Sequence, residues 1–176
     1  RARGPDDKWR SLPFPGKPGR PEDVFDPAIA KMGPEECLDL AATLIEGAGS
    51  ISGAEPVSGG VSAISGSELL INSNGLELDE RGTIFTAYLE TVARGEDGTV
   101  ATGYDFANSR TVLSDLADVG RSAGNLARRS LGGVRGESGK AEILLGPIAF
   151  ADILGNAFVP SIFGDNVQKG RSSLAG

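Results

Sequence analysis

Paired carboxylates are the candidates in this sequence for a general acid and a general base. The 176 residues contain no histidine and a single cysteine. They therefore cannot form a Ser-His-Asp triad or a histidine-ligated zinc site. Three acidic pairs stand out, each at a predicted helix start or turn, where carboxylates favour solvation and the positive end of a helix dipole. We therefore interpret them as structural: Glu35–Glu36, Asp79–Glu80 and Glu96–Asp97.

Cys37 is a weak candidate for chemistry, because no histidine is present to activate its thiol. It falls on the apolar side of a predicted helix and is interpreted as a small buried hydrophobic residue. Asp105, Ser109 and Arg110 bracket a predicted strand-to-helix joint, where capping and a local ion pair account for them. The sequence therefore offers no self-sufficient active site.

Charge and hydropathy exclude several partners. Lys+Arg 17 against Asp+Glu 24 gives a net charge of −7, which argues against binding a nucleic-acid backbone. No run approaches the ~18 apolar residues of a membrane span, and no basic-then-apolar signal opens the sequence. We therefore expect a cytoplasmic protein that binds neither nucleic acid nor membrane.

The elements that would position any site begin after an extended arm. Residues 1–33 are rich in proline, glycine and charge, which predicts a linker, with a short helical turn after Asp26. A helix is predicted over residues 34–48, because Pro34 suits its first position. Its apolar residues recur with the spacing of one buried helix face.

A β-meander is predicted over residues 55–107. Asn74–Gly75 suits a type I′ hairpin turn, and further turns are predicted at residues 80–82 and 95–98. Alternating apolar residues between these turns predict that one face of the sheet is covered.

A second helix is predicted over residues 110–131, capped by Asn108–Ser109. Gly120 and Gly124 lie on nearly the same side of it, which favours a close approach of helix to sheet. The predicted fold class is α+β, an antiparallel meander covered by two helices. A further domain follows over residues 139–176, after a central domain of residues 34–134.

The further domain opens with a predicted strand over residues 140–146 and an almost uniformly apolar helix, IAFADILGNAFV, which Pro160 should stop. Only Asp152 and Asn156 interrupt it, and their spacing places both on one narrow stripe. Such a helix is either buried all round or walls a pocket.

The order of these segments resembles the TldD/PmbA family, and specifically its PmbA (TldE) branch. The resemblance is carried by six segments at consistent spacing: PDDKWRSLP, VFDPAIAKMGPEECLDLAATLIEGA, LLINSNGLELDERGT, VARGEDGTVATGYDFANSR, AEILLGPIAFADILGNAF and GDNVQKGRSSLAG. It implies a considerably longer protein, of which this chain is a middle piece: a linker from a missing N-terminal domain, the second domain and the opening of the third.

The resemblance also implies a role in a heterodimeric metallopeptidase complex that digests peptides and unfolded segments. In the TldD branch the apolar helix carries His-Glu-x-x-x-His, two zinc ligands and a glutamate that takes a proton from water. Here those places fall on Leu154, Gly155 and Val159. The resemblance therefore implies a non-catalytic subunit without a cofactor, with zinc expected only in a TldD-like partner.

Two interpretations stay open. The first is this non-catalytic subunit, with Phe150, Phe158 and Phe163 as proposed interface residues because a short segment cannot bury all three. The second is a free-standing peptide-binding or scaffold domain that uses the edge of the meander to pair with an extended peptide.

Overall fold

The chain divides into two units, and the boundary in sequence lies between Val134 and Arg135. A three-stranded antiparallel sheet forms the centre of the first unit. The computed structural model describes residues 11–19 and 21–174. The strands are β1 (Ala54–Ile71), β2 (Glu77–Arg94) and β3 (Val100–Ser109), in the order β1-β2-β3. The predicted antiparallel meander and the α+β class are confirmed.

The β1–β2 hairpin is longer than predicted, and its turn differs from the predicted type I′. The prediction of a turn at Glu80–Gly82 is wrong, because β2 continues through these residues. Gly82 lies opposite Gly66, and Ile84 lies opposite Ile64. These cross-strand pairs continue the ladder without a break. In the hairpin loop only Gly75 has a positive φ, of 82°, which fits a type I turn followed by a left-handed glycine.

The β2–β3 turn forms at the predicted residues 95–98. The Gly95 N–H donates to the Thr99 carbonyl at 2.8 Å, and Gly98 has a φ of 82°. The Thr99 side chain and N–H donate to the Asp97 carboxylate at 2.7 and 3.0 Å, and these hydrogen bonds lower the pKa of Asp97.

Helix α2 (Pro34–Gly49) confirms the first predicted covering helix; it follows the short α1 (Pro27–Lys31), whose N-terminus the Asp26 carboxylate caps. Glu36 accepts a hydrogen bond from the Gly33 N–H at 2.7 Å, half of a capping box. Leu44 is buried in the core. Cys37 is only partly buried, so it is less buried than predicted.

The second covering helix, α3 (Ala117–Ser130), begins seven residues later than predicted, because β3 extends to Ser109. The intervening loop has its own hydrogen bonds. The buried Thr83 hydroxyl donates to the Arg110 carbonyl at 3.0 Å, and the Asp26 carboxylate accepts from the Val112 N–H at 3.0 Å. The predicted cap by Asn108–Ser109 is wrong: Leu116 stands at the N-cap without a side-chain bond, and the Asp115 carboxylate accepts from the Ala117 N–H at 3.1 Å.

Small residues let α3 pack closely against both α2 and the sheet. A Cβ on Gly120 would collide with the Leu44 carbonyl of α2, and one on Gly103 of β3 would collide with the Ala123 carbonyl of α3. Gly120 therefore serves helix–helix packing and not the predicted helix–sheet contact. The Thr91 hydroxyl of β2, fully buried, donates to the Ala123 carbonyl at 2.8 Å.

The core of the first unit lies between the inner face of the sheet and the helices. Its buried apolar members alternate along β2 and recur on α2 and α3. They are Ile29, Leu44, Ala48, Phe85, Ala87, Leu89, Leu116 and Ala123.

The described part of the N-terminal arm contacts the hairpin tip. The side-chain amides of Asn72 and Asn74 donate to the carbonyls of Pro13 and Leu12 at 2.8 and 2.7 Å. The PDDKWRSLP segment falls largely outside the described residues. The assignment of residues 1–33 to a linker from a further domain stays a prediction.

The second unit contains four short helical segments. They are α4 (Pro147–Ile153), a π-helical turn (Leu154–Phe158), α5 (Val159–Ile162) and α6 (Gly164–Gln168). The strand predicted over residues 140–146 is absent, because no described segment pairs with it, and Leu144 is 99% exposed. Among the described residues, no helix is long and apolar enough to cross a membrane.

Replacing Gly120 by alanine should destabilise the first unit. The added methyl meets the backbone of α2, and overpacking of this kind costs about 1–3 kcal/mol, partly offset by about 1 kcal/mol of helix propensity. Gly49→Ala is the matched control, because nothing lies within 4 Å of its Cβ position. Chemical denaturation should show lower stability for Gly120→Ala and equal or higher stability for Gly49→Ala. Equal stabilities for the two variants would disprove the close-contact interpretation.

Candidate functional site

The apolar helix of the second unit contains a widened turn at the place where the resemblance sets the zinc motif. The Val159 N–H donates to the Leu154 carbonyl, five residues back, and so closes a π-turn. The helix continues through Pro160 to Ile162, so the predicted stop at Pro160 is wrong. A proline lacks an N–H to donate, and here it stands at the second position of α5, directly after the widened turn.

Side chains satisfy backbone groups around this turn. The Asn156 amide donates to the Asp152 carbonyl at 2.9 Å, and the Ser161 hydroxyl donates to the Ala157 carbonyl at 2.9 Å. Asp152 and Asn156 therefore lie next to each other, as their spacing predicts. The contact is a hydrogen bond from the Asn156 side chain to the Asp152 backbone. Each bond adds a side-chain donor to a helix carbonyl near the widened turn.

The π-turn changes the relative direction of residues five apart in this helix. In an α-helix such residues point roughly 140° apart, whereas the wider turn closed by the hydrogen bond from Val159 to Leu154 brings their directions closer together. Their side chains, each 36% exposed, and Gly155 carry no oxygen, nitrogen or sulfur donor. These residues do not fit a zinc ion. Within residues 11–19 and 21–174, no three His, Cys, Asp or Glu side chains could together hold a metal.

Apolar side chains of this helix are unusually exposed. Phe150, Phe158 and Phe163 are 51, 48 and 54% exposed, and Ile148, Ile153 and Ile162 are exposed to a similar degree. The only buried residue in the described part of the second unit is Ser161. The segment is therefore neither a buried core helix nor an ordinary polar surface helix.

A second candidate site lies in the first unit, beside the outer edge of β1. Among the described residues, β1 pairs only with β2, so its other edge has no strand partner. An apolar groove of about 240 Å³ separates this edge from α2. It is lined by Ala41, Leu44, Ile45, Pro56, Val57, Ser58, Gly59, Gly60 and Leu89.

A comparison of the chain with known protein families shows which family it belongs to. The model of the PmbA/TldA metallopeptidase central domain matches residues 27–131. The chain belongs to the PmbA/TldD family. The matched range holds the meander and both covering helices.

Relatives extend the similarity beyond the central domain. An uncharacterised protein of Methanocaldococcus jannaschii is 32% identical over 171 residues, which are 97% of this chain and 39% of the relative. TldE from Thermococcus kodakarensis superimposes with a TM-score of 0.82 at 25% identity, over 99% of this chain and 39% of that protein. The chain thus spans about two-fifths of these PmbA/TldD relatives.

A further solved structure shows the same fold. A protein of Thermotoga maritima described as a proposed modulator of a DNA gyrase has a TM-score of 0.81 at 22% identity. The similarity covers 95% of this chain and 39% of that protein.

The groove beside β1 was not predicted from the sequence. Gly59 and Gly60, which line it, are glycines that fit a strand poorly and give no sign of a groove. The useful signal is the irregular pairing between Pro56 and Ser58, which is visible only once the register is known. By contrast, Leu154, Gly155 and Val159 were identified only through the family resemblance.

Histidines placed at both ends of the π-turn should bind a divalent metal. The variant Leu154→His/Val159→His should bind Zn²⁺ or Co²⁺ at least about tenfold tighter than the unmodified chain, a gain of about 1.4 kcal/mol, because the wider turn brings the directions of its imidazoles closer together. The control Arg121→His/Leu126→His has the same spacing in the regular helix α3 and should show no such gain. Isothermal titration measures both. Equal affinities would mean that the π-turn does not align the two positions.

Proposed function

We propose that this chain is part of a non-catalytic, TldE-like subunit of a cytoplasmic metallopeptidase complex that degrades peptides and unfolded segments. The observation that carries the proposal is the π-turn of Leu154–Phe158, where Leu154 and Val159 stand at the places of the two zinc ligands in the resemblance. In this proposal zinc is held by a TldD-like partner, and no residue of this chain takes part in the chemistry.

Exposed apolar surface supports the need for a partner. Phe150, Phe158 and Phe163 are each about half exposed. Fully burying a large apolar side chain contributes roughly 1.5–3 kcal/mol, so their burial would favour association. Aromatic side chains are enriched at protein–protein interfaces. The similarity to TldE from Thermococcus kodakarensis supports the branch.

A second candidate function is supported by the edge of β1. A free strand edge presents unpaired backbone donors and acceptors, to which an extended peptide can add as a further strand. The groove between this edge and α2 gives such a peptide a place for one side chain. This function needs neither zinc nor a catalytic partner, so the two proposals can be tested separately.

The substitution Phe158→Asp should raise the solubility of the isolated chain and weaken its assembly with the partner. A charge on this exposed ring position should make the isolated chain more soluble, and should weaken its co-purification with a TldD-like partner because the carboxylate would be desolvated at the interface. We expect at least about a tenfold loss of affinity, or about 1.4 kcal/mol. The measurement is a pull-down followed by titration of the two purified proteins.

Val134→Asp is the control, because Val134 is 91% exposed and lies outside the helix. It should leave binding of the partner unchanged. Unaltered binding by Phe158→Asp, or an equal loss in both variants, would contradict the assignment of Phe158 to the interface.

A further inference from the structure

The third strand covers only half of the central strand. β3 pairs with residues 85–94 of β2, so residues 77–84 have no strand partner on that side in the part of the chain that the structure describes. On the other side, β1 pairs with residues 77–84 without a break. A two-stranded hairpin is marginally stable in water by itself. The outer half of the β1–β2 hairpin, residues 64–84, therefore needs support from another segment.

The N-terminal arm lies along this uncovered side of β2. At the base of the outer half, the Thr83 N–H donates to the Val24 carbonyl at 2.9 Å, and the Asp26 N–H donates to the Thr83 hydroxyl at 2.8 Å. Further out, Pro18 and Pro21 of the arm line a cavity of about 380 Å³ together with residues 77–81 of β2. The arm thus follows the half of the edge that β3 leaves free.

The arm also reaches the loop of the hairpin. The side-chain amides of Asn72 and Asn74 donate to arm carbonyls at 2.8 and 2.7 Å, and Pro15 lies 3.9 Å from the Cβ position of Gly75. Leu76, in the loop that the arm contacts, is 6% exposed. The contacts of the arm therefore extend from the tip of the hairpin to its base.

Proline makes the arm a cover and not a fourth strand. Residues 11–22 contain four prolines, which have no N–H to donate to a ladder. Among the described residues, one backbone–backbone hydrogen bond joins the arm to β2, from Thr83 to Val24. Because few bonds hold most of its length, the arm can leave the edge without breaking a ladder.

The base of the arm is held by buried groups. Thr83 is fully buried, and its hydroxyl also donates to the Arg110 carbonyl at 3.0 Å. The Asp26 carboxylate accepts from the N–H groups of Ala28 and Val112 at 2.8 and 3.0 Å. Releasing this end would leave buried polar groups without partners, which is costly.

The tip of the arm is held less firmly. The hydrogen bonds that Asn72 and Asn74 donate to the arm are both exposed, so water can replace them at a small net cost. Leu12 and Phe14 of the arm are 41 and 68% exposed, and so contribute little burial. Local opening begins where such contacts are fewest, which is the tip.

Asp23 connects the two parts of the arm in a left-handed conformation. Its φ is 57°, which is unfavourable for a residue with a Cβ, although aspartate tolerates it better than most. The bound arm imposes this conformation directly before Val24. An arm released at its tip would let Asp23 return to a negative φ.

We propose that residues 12–19 and 21–26 form a strap that supports the outer half of the hairpin and opens from the tip. The part of the strap before Asp23 turns about this residue, while Val24 and Asp26 stay bound to Thr83. When closed, the strap covers the free half of the β2 edge and the loop around Leu76. When open, it uncovers both. This inference goes beyond the proposed functions and depends on neither.

Spin labels on the full chain measure the opening. They are attached through Ser11→Cys and Ser73→Cys, at the tips of the arm and the hairpin, in a chain whose own thiol is removed by Cys37→Ser. The tip variant Asn72→Asp/Asn74→Asp removes both donors to the arm and keeps the oxygen that accepts from the loop N–H groups. We expect an at least about fivefold larger fraction of widely separated labels, because two exposed hydrogen bonds are lost.

Asn108→Asp/Asn125→Asp is the matched control. It makes the same change of charge at exposed asparagines of β3 and α3, and it should leave the label separation unchanged. Amide hydrogen exchange at Thr83 should stay as slow in the tip variant as in the unmodified chain, because the base remains bound. Circular dichroism verifies folding, and Asn74→Asp alone, with the same expected direction, replaces a tip variant that does not fold.

Substitutions at Asp23 locate the hinge. Glycine adopts a φ of this sign freely, whereas a β-branched residue resists it. Asp23→Val should therefore raise the open fraction several-fold above that of Asp23→Gly, measured with the same labels.

The outcomes distinguish the strap from its hinge. An unchanged label separation in the tip variant, or an equal change in the control, would overturn the strap. Faster exchange at Thr83 in the tip variant would show that the whole arm leaves together. That result, or equal open fractions in the two Asp23 variants, would overturn opening about Asp23.

Discussion

The close contact of α3 with both α2 and the sheet is the constraint on which the first unit depends. Gly120 lets the backbones of the two helices approach, and Gly103 lets α3 rest on β3. The buried hydroxyl of Thr91 then bonds the Ala123 carbonyl from the central strand. Because protein interiors are packed as densely as organic crystals, a side chain at either glycine would push the covering layer away from the sheet.

That covering layer makes the sheet asymmetric. The inner face is closed by α2 and α3, so Phe85, Ala87 and Leu89 form a core with alternating burial along β2. Since β2 alone has a partner on each side, the outer edges of β1 and β3 have no strand partner in the part of the chain that the structure describes, and the opposite face of the sheet is uncovered by α2 and α3. Tyr88 and Tyr104 lie on that open face with ring centroids 6.3 Å apart. The first unit thus gains its stability on one side and offers surface on the other.

Much of this arrangement follows from sequence pattern, and the errors have physical causes. The spacing of apolar residues predicted α2 and the meander, because one buried face imposes that period. The start of α3 was missed because Asp26 and Thr83, distant in sequence, hold the Arg110–Val112 segment by hydrogen bonds. The π-turn was missed because Pro160 signals a stop locally, and the widened turn that precedes it is a property of the backbone. The groove depends on strand register, which the sequence does not reveal.

The proposal that Leu154, Gly155 and Val159 stand at the places of a zinc motif is the central claim about the second unit. Zinc analysis of the purified chain, alone and after assembly with a TldD-like partner, tests it most directly. The account predicts only trace zinc in the chain alone, and stoichiometric zinc with chelator-sensitive peptidase activity in the complex. Stoichiometric zinc in the isolated chain, or peptide hydrolysis by it that a chelator abolishes, would contradict the account.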